Sequence, residues 1–345
     1  MSSANEAASG PSQAITFEGI GASDAAAAAG VNPWKSPIEL WEQLQGIVPR
    51  PRDDDNPAMA WGRMLEQPIR QHYADRFSVQ VHVPPVSLFR ADAPWRRASP
   101  DGLVLDDAMR SGGPRYMRGL EIKTASQYAA SDWGPDGSDE VPIQYAIQCH
   151  WGMHVCQIDS WDLAALIGGR DFRVYRLHRD AELERDLVAQ VDCFWHEHVL
   201  PCEPPPPDHT TAFRDYLCRR WPDVRAEYLP ADEGTSALVA SALRNARLLR
   251  ELKKEQDEVK NRLRAMIGDW SGLETIHGRV HWKPQRARRV IDWEAAAIEM
   301  ANSQGWDRER FAAFVELHRR PTEPLRPLRL PRLKGEPEEG SEDVP

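Results

Sequence analysis

The spacing of apolar positions changes twice along the chain. Early on it is helical. A run of alanines (residues 25–29) follows Gly19-Ile20-Gly21-Ala22-Ser23-Asp24 and is closed by Gly30, with Ser23 or Asp24 as the expected cap. After the turn Asn32-Pro33-Trp34-Lys35-Ser36-Pro37, a second helix is opened by Ser36 or Pro37 and carries Ile38, Leu40, Trp41 and Leu44. Residues 59–77 form a longer helical stretch with Trp61, Leu65, Ile69 and Tyr73 on its apolar face.

From there the period falls to two. Val79, Val81 and Val83 alternate with other residues, residues 86–89 stay strand-like, and 97–105 read as a strand broken at Pro100. A polar loop (106–116) leads to a strand at 120–124, and a second polar loop (131–140) leads to a helix at 142–155. Residues 163–167 and 172–177 flank Gly168-Gly169-Arg170-Asp171, a hairpin signal. A helix over 181–199 precedes the prolines at 204–207, where a domain boundary is expected.

The later third is mostly helical. Residues 236–267 form a long charged helix whose Leu238, Ala242, Leu249, Leu252, Val259, Leu263 and Met266 suit either a coiled-coil partner or a packed hairpin. A short hairpin turning at His277-Gly278 and two short helices (291–300 and 308–318) follow. The expected organisation is a flexible start at 1–14, a main domain at 15–203, a linker at 204–235, a helical accessory region at 236–320 and a flexible tail at 321–345.

Composition narrows the function classes. The 345 residues are 28% charged and 41% hydrophobic, with a mean hydropathy of -0.59. No apolar run approaches the roughly 20 residues that cross a bilayer, and the N-terminus lacks the basic and apolar regions of a secretion signal. Five scattered cysteines suit reduced thiols, contain no C-x-x-C zinc pair, and all follow the motifs described next. A phosphate-binding loop for ATP is missing too.

The strongest chemical signal is Ser99-Pro100-Asp101-Gly102 followed by Leu120-Glu121-Ile122-Lys123. Residues two apart on a strand share a face, so Glu121 and Lys123 project together, and Asp101 can meet them from a neighbouring strand. Two carboxylates and a lysine suit metal-assisted phosphodiester hydrolysis: the oxygens hold Mg2+, and the lysine orients or deprotonates water or offsets developing charge. A solvated strand face also satisfies so short a pattern. Its apolar, alternating surroundings and Pro-Asp-Gly turn favour a strand end.

Gly21-Ala22-Ser23-Asp24-Ala25-Ala26, Trp61-Gly62-Arg63-Met64-Leu65-Glu66, Ser99-Pro100-Asp101-Gly102-Leu103, Leu120-Glu121-Ile122-Lys123 and Tyr145-Ala146-Ile147-Gln148 occur in one order. In that order, over roughly residues 20–199, the chain resembles the YqaJ-like viral recombinase family of the PD-(D/E)xK nuclease superfamily. The resemblance implies an α/β, restriction-endonuclease-like core, a mixed β-sheet flanked by helices, here with a mainly helical C-terminal extension. It implies a DNA exonuclease using two Mg2+ ions, with Mn2+ able to substitute, that resects linear duplex DNA 5′ to 3′. Glu66, Asp101 and Glu121 and the main-chain carbonyl of Ile122 would be metal ligands, Lys123 the catalytic lysine, and Gln148 a residue positioning it or the water. Ser99 and Tyr145 would line the site, and Ser23 would sit at a 5′-phosphate pocket.

The partners implied are duplex DNA with a free end, a single-strand annealing protein and further copies of the chain, with a trimeric ring among the assemblies and no membrane. The setting implied is the cytoplasm of a bacterial host, from a phage or prophage gene. Alternatives are an endonuclease of the same superfamily and a non-catalytic DNA-binding or assembly factor. The chain departs from the family pattern at Thr16-Phe17-Glu18, where an arginine for the 5′-phosphate is common; Lys35 is the nearest cation in sequence to replace it. His150 stands where a second glutamine is common.

Charge distribution matters more than its total. The net charge is -10, and acid is concentrated at 53–55, 106–107, 132–140 and 336–343. Cations gather at Arg279, Lys283, Arg286, Arg288 and Arg289, and again at Arg326, Arg329, Arg332 and Lys334. DNA responds to a local track of cations, so an acidic total does not exclude it.

Overall fold

A computed structural model describes residues 19–50, 56–105, 116–284 and 293–318. The acidic runs at 53–55, 106–107 and 336–343, both expected flexible ends, and the cations beyond residue 284 lie outside them. The chain divides into two compact units, Met1–Pro222 and Asp223–Pro345.

The first unit opens with three helices, α1 (Ala22–Ala28), α2 (Pro37–Leu44) and α3 (Pro57–Phe77). Ser36 caps α2 through a reciprocal capping box with Glu39. The cap expected for α1 does not form. The helix starts from Gly21 without a side-chain cap; Ser23 is exposed inside it, and Asp24 is buried. The Asp24 carboxylate is drawn to cations instead, 2.9 Å from Lys35 Nζ and 3.4 Å from Arg50. In α3 only Ile69 and Tyr73 are buried, and Trp61 is 61% exposed. Helical periodicity thus marked the right face, while the core reaches only the second half of the helix.

The strands are β1 (Val81–His82), β2 (Leu88–Arg90), β3 (Ala93–Ala98), β4 (Gly102–Leu105) and β5 (Tyr116–Ala125), then β6 (Ser160–Ile167) and β7 (Asp171–His178). They form a five-stranded sheet in the order β1-β4-β5-β6-β7 and a separate β2-β3 pair. The break at Pro100 is therefore larger than expected: residues 93–98 and 102–105 lie in different sheets. Only the β5-β6 pair of the main sheet is parallel. That pair needs a crossover, supplied by α4 (Ile143–Cys156). Gly168 and Gly169, both at positive φ (59° and 74°), make the tight β6-β7 turn. The architecture is the expected mixed sheet flanked by helices.

Both faces of the sheet are covered. Ile69 and Tyr73 of α3 pack with Val104, Leu120, Ile122, Ala164 and Val174 on one face. On the other, α4 supplies Cys149 and Met153 against Trp161, Leu163, Ala165 and Tyr175. A third cluster joins α1, α2 and α4 to α5 (Ala181–Cys193). The helix expected over 181–199 continues past α5 as a π-helical turn, Phe194–Val199.

The stretch read as a linker, 204–235, contains a helix, α6 (Thr211–Arg220), whose Phe213 and Tyr216 are buried in that cluster. Tyr216 meets Trp41 edge-on at 5.9 Å. The preceding prolines end one element without ending the domain core. In the second unit, α7 (Glu233–Ile267) is capped by Asp232; β8 (Gly272–Thr275) and β9 (Gly278–His281) form the expected hairpin, and α8 (Trp293–Ser303) and α9 (Arg308–His318) follow. Among the described residues no helix is long and apolar enough to cross a membrane.

Candidate active site

Close approach of α4 to the sheet sets up the site. The Trp161 indole lies between two glycines: a Cβ on Gly119 would meet it at 2.2 Å and one on Gly152 at 2.6 Å. Gly119 belongs to β5 and Gly152 to α4, so the absent side chains leave room for the ring between strand and helix. Strand alternation places Glu121 and Lys123 on the face of Gly119, toward α4.

There the polar side chains converge. The Glu121 carboxylate, only 4% exposed, accepts from Lys123 Nζ at 2.6 Å and from Gln148 Nε2 at 2.5 Å, both at Oε1. Asp101, at the mouth of β4, accepts through Oδ2 from the Ile122 main-chain N–H at 2.7 Å. Opposite neighbours in β4 and β5, Gly102 against Leu120, bring Asp101 to this end of β5. Asp101, Glu121, Lys123 and Gln148 therefore meet, as their spacing implied.

Electrostatics follow from that proximity. Burial, reinforced by the negative charge of Glu121, pushes the Asp101 carboxyl up to about 8, against the pull of Lys123 and the Ile122 N–H. Burial works against the Lys123 ammonium, but the Glu121 carboxylate outweighs it and holds the lysine above its usual value. Two mutually repelling buried carboxylates are a hard-oxygen pair that a divalent cation relieves. That donor chemistry fits Mg2+, with the Ile122 carbonyl and water as further oxygens. Among the described residues no group of three His, Cys, Asp or Glu side chains converges enough to hold a metal by itself.

Glu66 explains why the carboxylate set stops at two. It forms an ion pair with Arg70, one turn along α3, and Arg70 Nε also donates to the Asp101 main-chain oxygen at 2.7 Å. Arg70 was not singled out in the sequence. Its signal was the i,i+4 spacing from Glu66 on one helix face.

An aromatic wall borders the lysine. Lys123 Nζ stands 5.4 Å from the centroid of the Tyr145 ring. Tyr145 stacks on Trp133 at 5.4 Å and meets Trp34 at 6.0 Å. Trp34 is 67% exposed, so the wall ends in an open indole at the rim. Tyr145 thus lines the site as expected. Ser99 is exposed and hydrogen-bonds Ser87 at 2.6 Å. Ser23 and Lys35 form no contact with the carboxylate cluster: Ser23 is exposed on α1, and Lys35 binds Asp24. His150, at the position of the expected second glutamine, is buried, and burial lowers its pKa.

The description "YqaJ-like viral recombinase domain" matches residues 13–159. The chain is 26% identical over 285 residues to the uncharacterized protein YqaJ of Bacillus subtilis (strain 168), covering 79% of this chain and 82% of that protein. Among solved structures, it is similar to an alkaline exonuclease from Laribacter hongkongensis at 18% identity and a TM-score of 0.41, covering 59% of this chain and 93% of that one. A complex of that exonuclease with dAMP matches at 19% identity and a TM-score of 0.42, over the same shares of the two chains.

Proposed function

Because residues 13–159 form a YqaJ-like viral recombinase domain, we propose that the chain is a Mg2+-dependent DNA exonuclease that resects linear duplex DNA from a 5′ end. The product is a 3′ single strand suited to an annealing protein. The observation carrying this reading is the convergence on one oxygen: Glu121 Oε1 receives both Lys123 and Gln148 beside Asp101.

Each residue has a role set by its surroundings. Asp101 and Glu121, with the Ile122 carbonyl, would hold the metal; Glu66 would join them on release from Arg70. When bound, Mg2+ supplies an activated water and charge stabilisation at the phosphate. Lys123 is held as a cation by Glu121, so it aligns the attacking water and offsets the charge growing on the phosphoryl oxygens. Gln148 fixes the Glu121 carboxylate, and with it the lysine. Tyr145 limits the freedom of the lysine from the other side. The open Trp34 ring offers a base of the DNA end a stacking surface.

The test uses purified protein, Mg2+ and three DNAs: a linear duplex with 5′-phosphates, the same duplex with 5′-hydroxyls, and closed circles. Metal-dependent loss of the linear duplex, abolished in Lys123→Ala, is expected. No degradation by either protein sinks the proposal. Rapid cutting of closed circles transfers the activity to an endonuclease.

A further inference from the structure

Helix α7 spans 35 residues and is exposed on every side from residue 247 to 262, about 24 Å of helix at 1.5 Å per residue. That stretch is not polar all round: Leu248, Leu249, Leu252 and Val259 stand in water. The chain's own packing uses an adjacent row near the start of the helix, where Val239, Leu243 and Ala246 are half-buried.

The exposed row has a heptad register. Steps of four and three residues alternate without interruption from Leu238 to Met266. Leu238, Asn245, Leu252, Val259 and Met266 occupy one core position, the d position, and all are exposed. Ala242, Leu249, Gln256 and Leu263 occupy the other, the a position. Such a 4-3 repeat over four heptads is the seam of a left-handed coiled coil, and polar Asn245 and Gln256 inside it restrict the register in which two such seams can pair.

The flanking charges choose the partner. In a parallel pair each g residue faces the e residue of the next heptad on the other strand. Glu255 (g) then faces Lys260 (e) of a second copy, twice by symmetry, and the stem of Lys253 (e) covers Leu248 (g). In an antiparallel pair the e rows face each other and set Lys253 and Lys260 against lysines.

We propose that α7 pairs with α7 of a second copy of this chain as a parallel two-stranded coiled coil. The pairing is independent of the nuclease reading and holds whichever reaction the first unit catalyses.

The full-length chain tests it by light scattering behind size exclusion and by sedimentation. The mass expected is about twice the 39.1 kDa of one chain. Leu252→Glu with Val259→Glu should give monomers while far-ultraviolet circular dichroism is retained, since both side chains are exposed in the single chain. Glu255→Lys should weaken association roughly tenfold, and Glu255→Lys with Lys260→Glu should restore it. Asn245→Cys should add an interchain disulfide under oxidation that the unsubstituted chain does not form. A monomer at micromolar concentration, a ring or other assembly indifferent to the α7 substitutions, or no added crosslink at residue 245 each overturns the proposal.

Discussion

Gln148 and Lys123 share one acceptor, Glu121 Oε1, from opposite elements: Gln148 approaches at 2.5 Å from α4, and Lys123 at 2.6 Å along β5. The lysine is therefore positioned through the carboxylate that the glutamine holds. Gln148→Ala should lower kcat by about 10- to 100-fold with little change in KM, and Gln148→Glu should be as damaging, because it sets a second carboxylate against Glu121. Steady-state kinetics on linear duplex, with Mg2+ titrated for each variant, checks this. A variant with the kcat of the parent removes Gln148 from the site.

Lys35 is expected to act at the DNA end, yet it holds Asp24 at 2.9 Å. If Lys35 also serves the 5′-phosphate, Lys35→Ala should lose most of the rate difference between 5′-phosphorylated and 5′-hydroxyl duplexes. Competition between the two ends measures that difference. Full retention would falsify a role for Lys35 in end recognition and leave it as the counter-ion of a buried aspartate.

Gly152 admits the Trp161 ring between helix and sheet. Gly152→Ala would press a Cβ to 2.6 Å from that ring, and the overpacking should cost about 1–3 kcal/mol. The same shift moves α4, and with it Gln148 and Tyr145, away from β5. Urea unfolding should show the lost stability, and the loss of activity should exceed the loss of folded protein. Unchanged stability would mean that α4 has slack against the sheet.

Asp162 is fully buried and carries the ionic core of the sheet. It accepts from Tyr73 at 2.5 Å, from Arg118 at 2.7 Å and from Arg176 at 2.8 Å and 2.9 Å. Asp162→Ala leaves Arg118 without its carboxylate and should cost about 3–5 kcal/mol. Asp162→Leu combined with Arg118→Met should recover much of that, because the pair is then replaced by apolar volume. Chemical unfolding of both variants decides it; equal losses in the single and double variants contradict the account.

Glu184 gives the fold a definite acid limb. The Arg179 guanidinium, helped by His154 and opposed by burial, lowers its carboxyl to about 2. His154 is held neutral, with burial lowering its pKa; it donates through Nδ1 to Glu184 at 2.8 Å, and its Nε2 accepts from Arg96 at 3.2 Å. A folded value below the unfolded one means that the unfolded chain binds the proton more readily. The contribution of Glu184 is therefore complete above about 4.5, its ordinary value, and is lost as pH falls toward about 2. The stability difference between the parent and Glu184→Gln should be constant from pH 7 to 5 and shrink below that. A difference that grows on acidification would reverse the sign.

Periodicity in the sequence determined the order and type of most elements, because strand alternation and helical spacing are local properties. It placed Glu121 and Lys123 on one face, and the loop before β4 put Asp101 at a strand mouth. The heptad seam of α7 was legible for the same reason. The tertiary structure alone decided which residues each carboxylate meets. Asp24, read as a helix cap, became a buried counter-ion because Lys35 and Arg50 reach it. Glu66 was drawn to Arg70 and away from the other two acids, and Trp61 missed the core that its spacing pointed toward. Residues 204–235, read as a linker from their prolines, contributed Phe213 and Tyr216 to the core of the first unit. Proline and charge signals are local, whereas burial and ion pairing depend on which distant segments arrive at the same place.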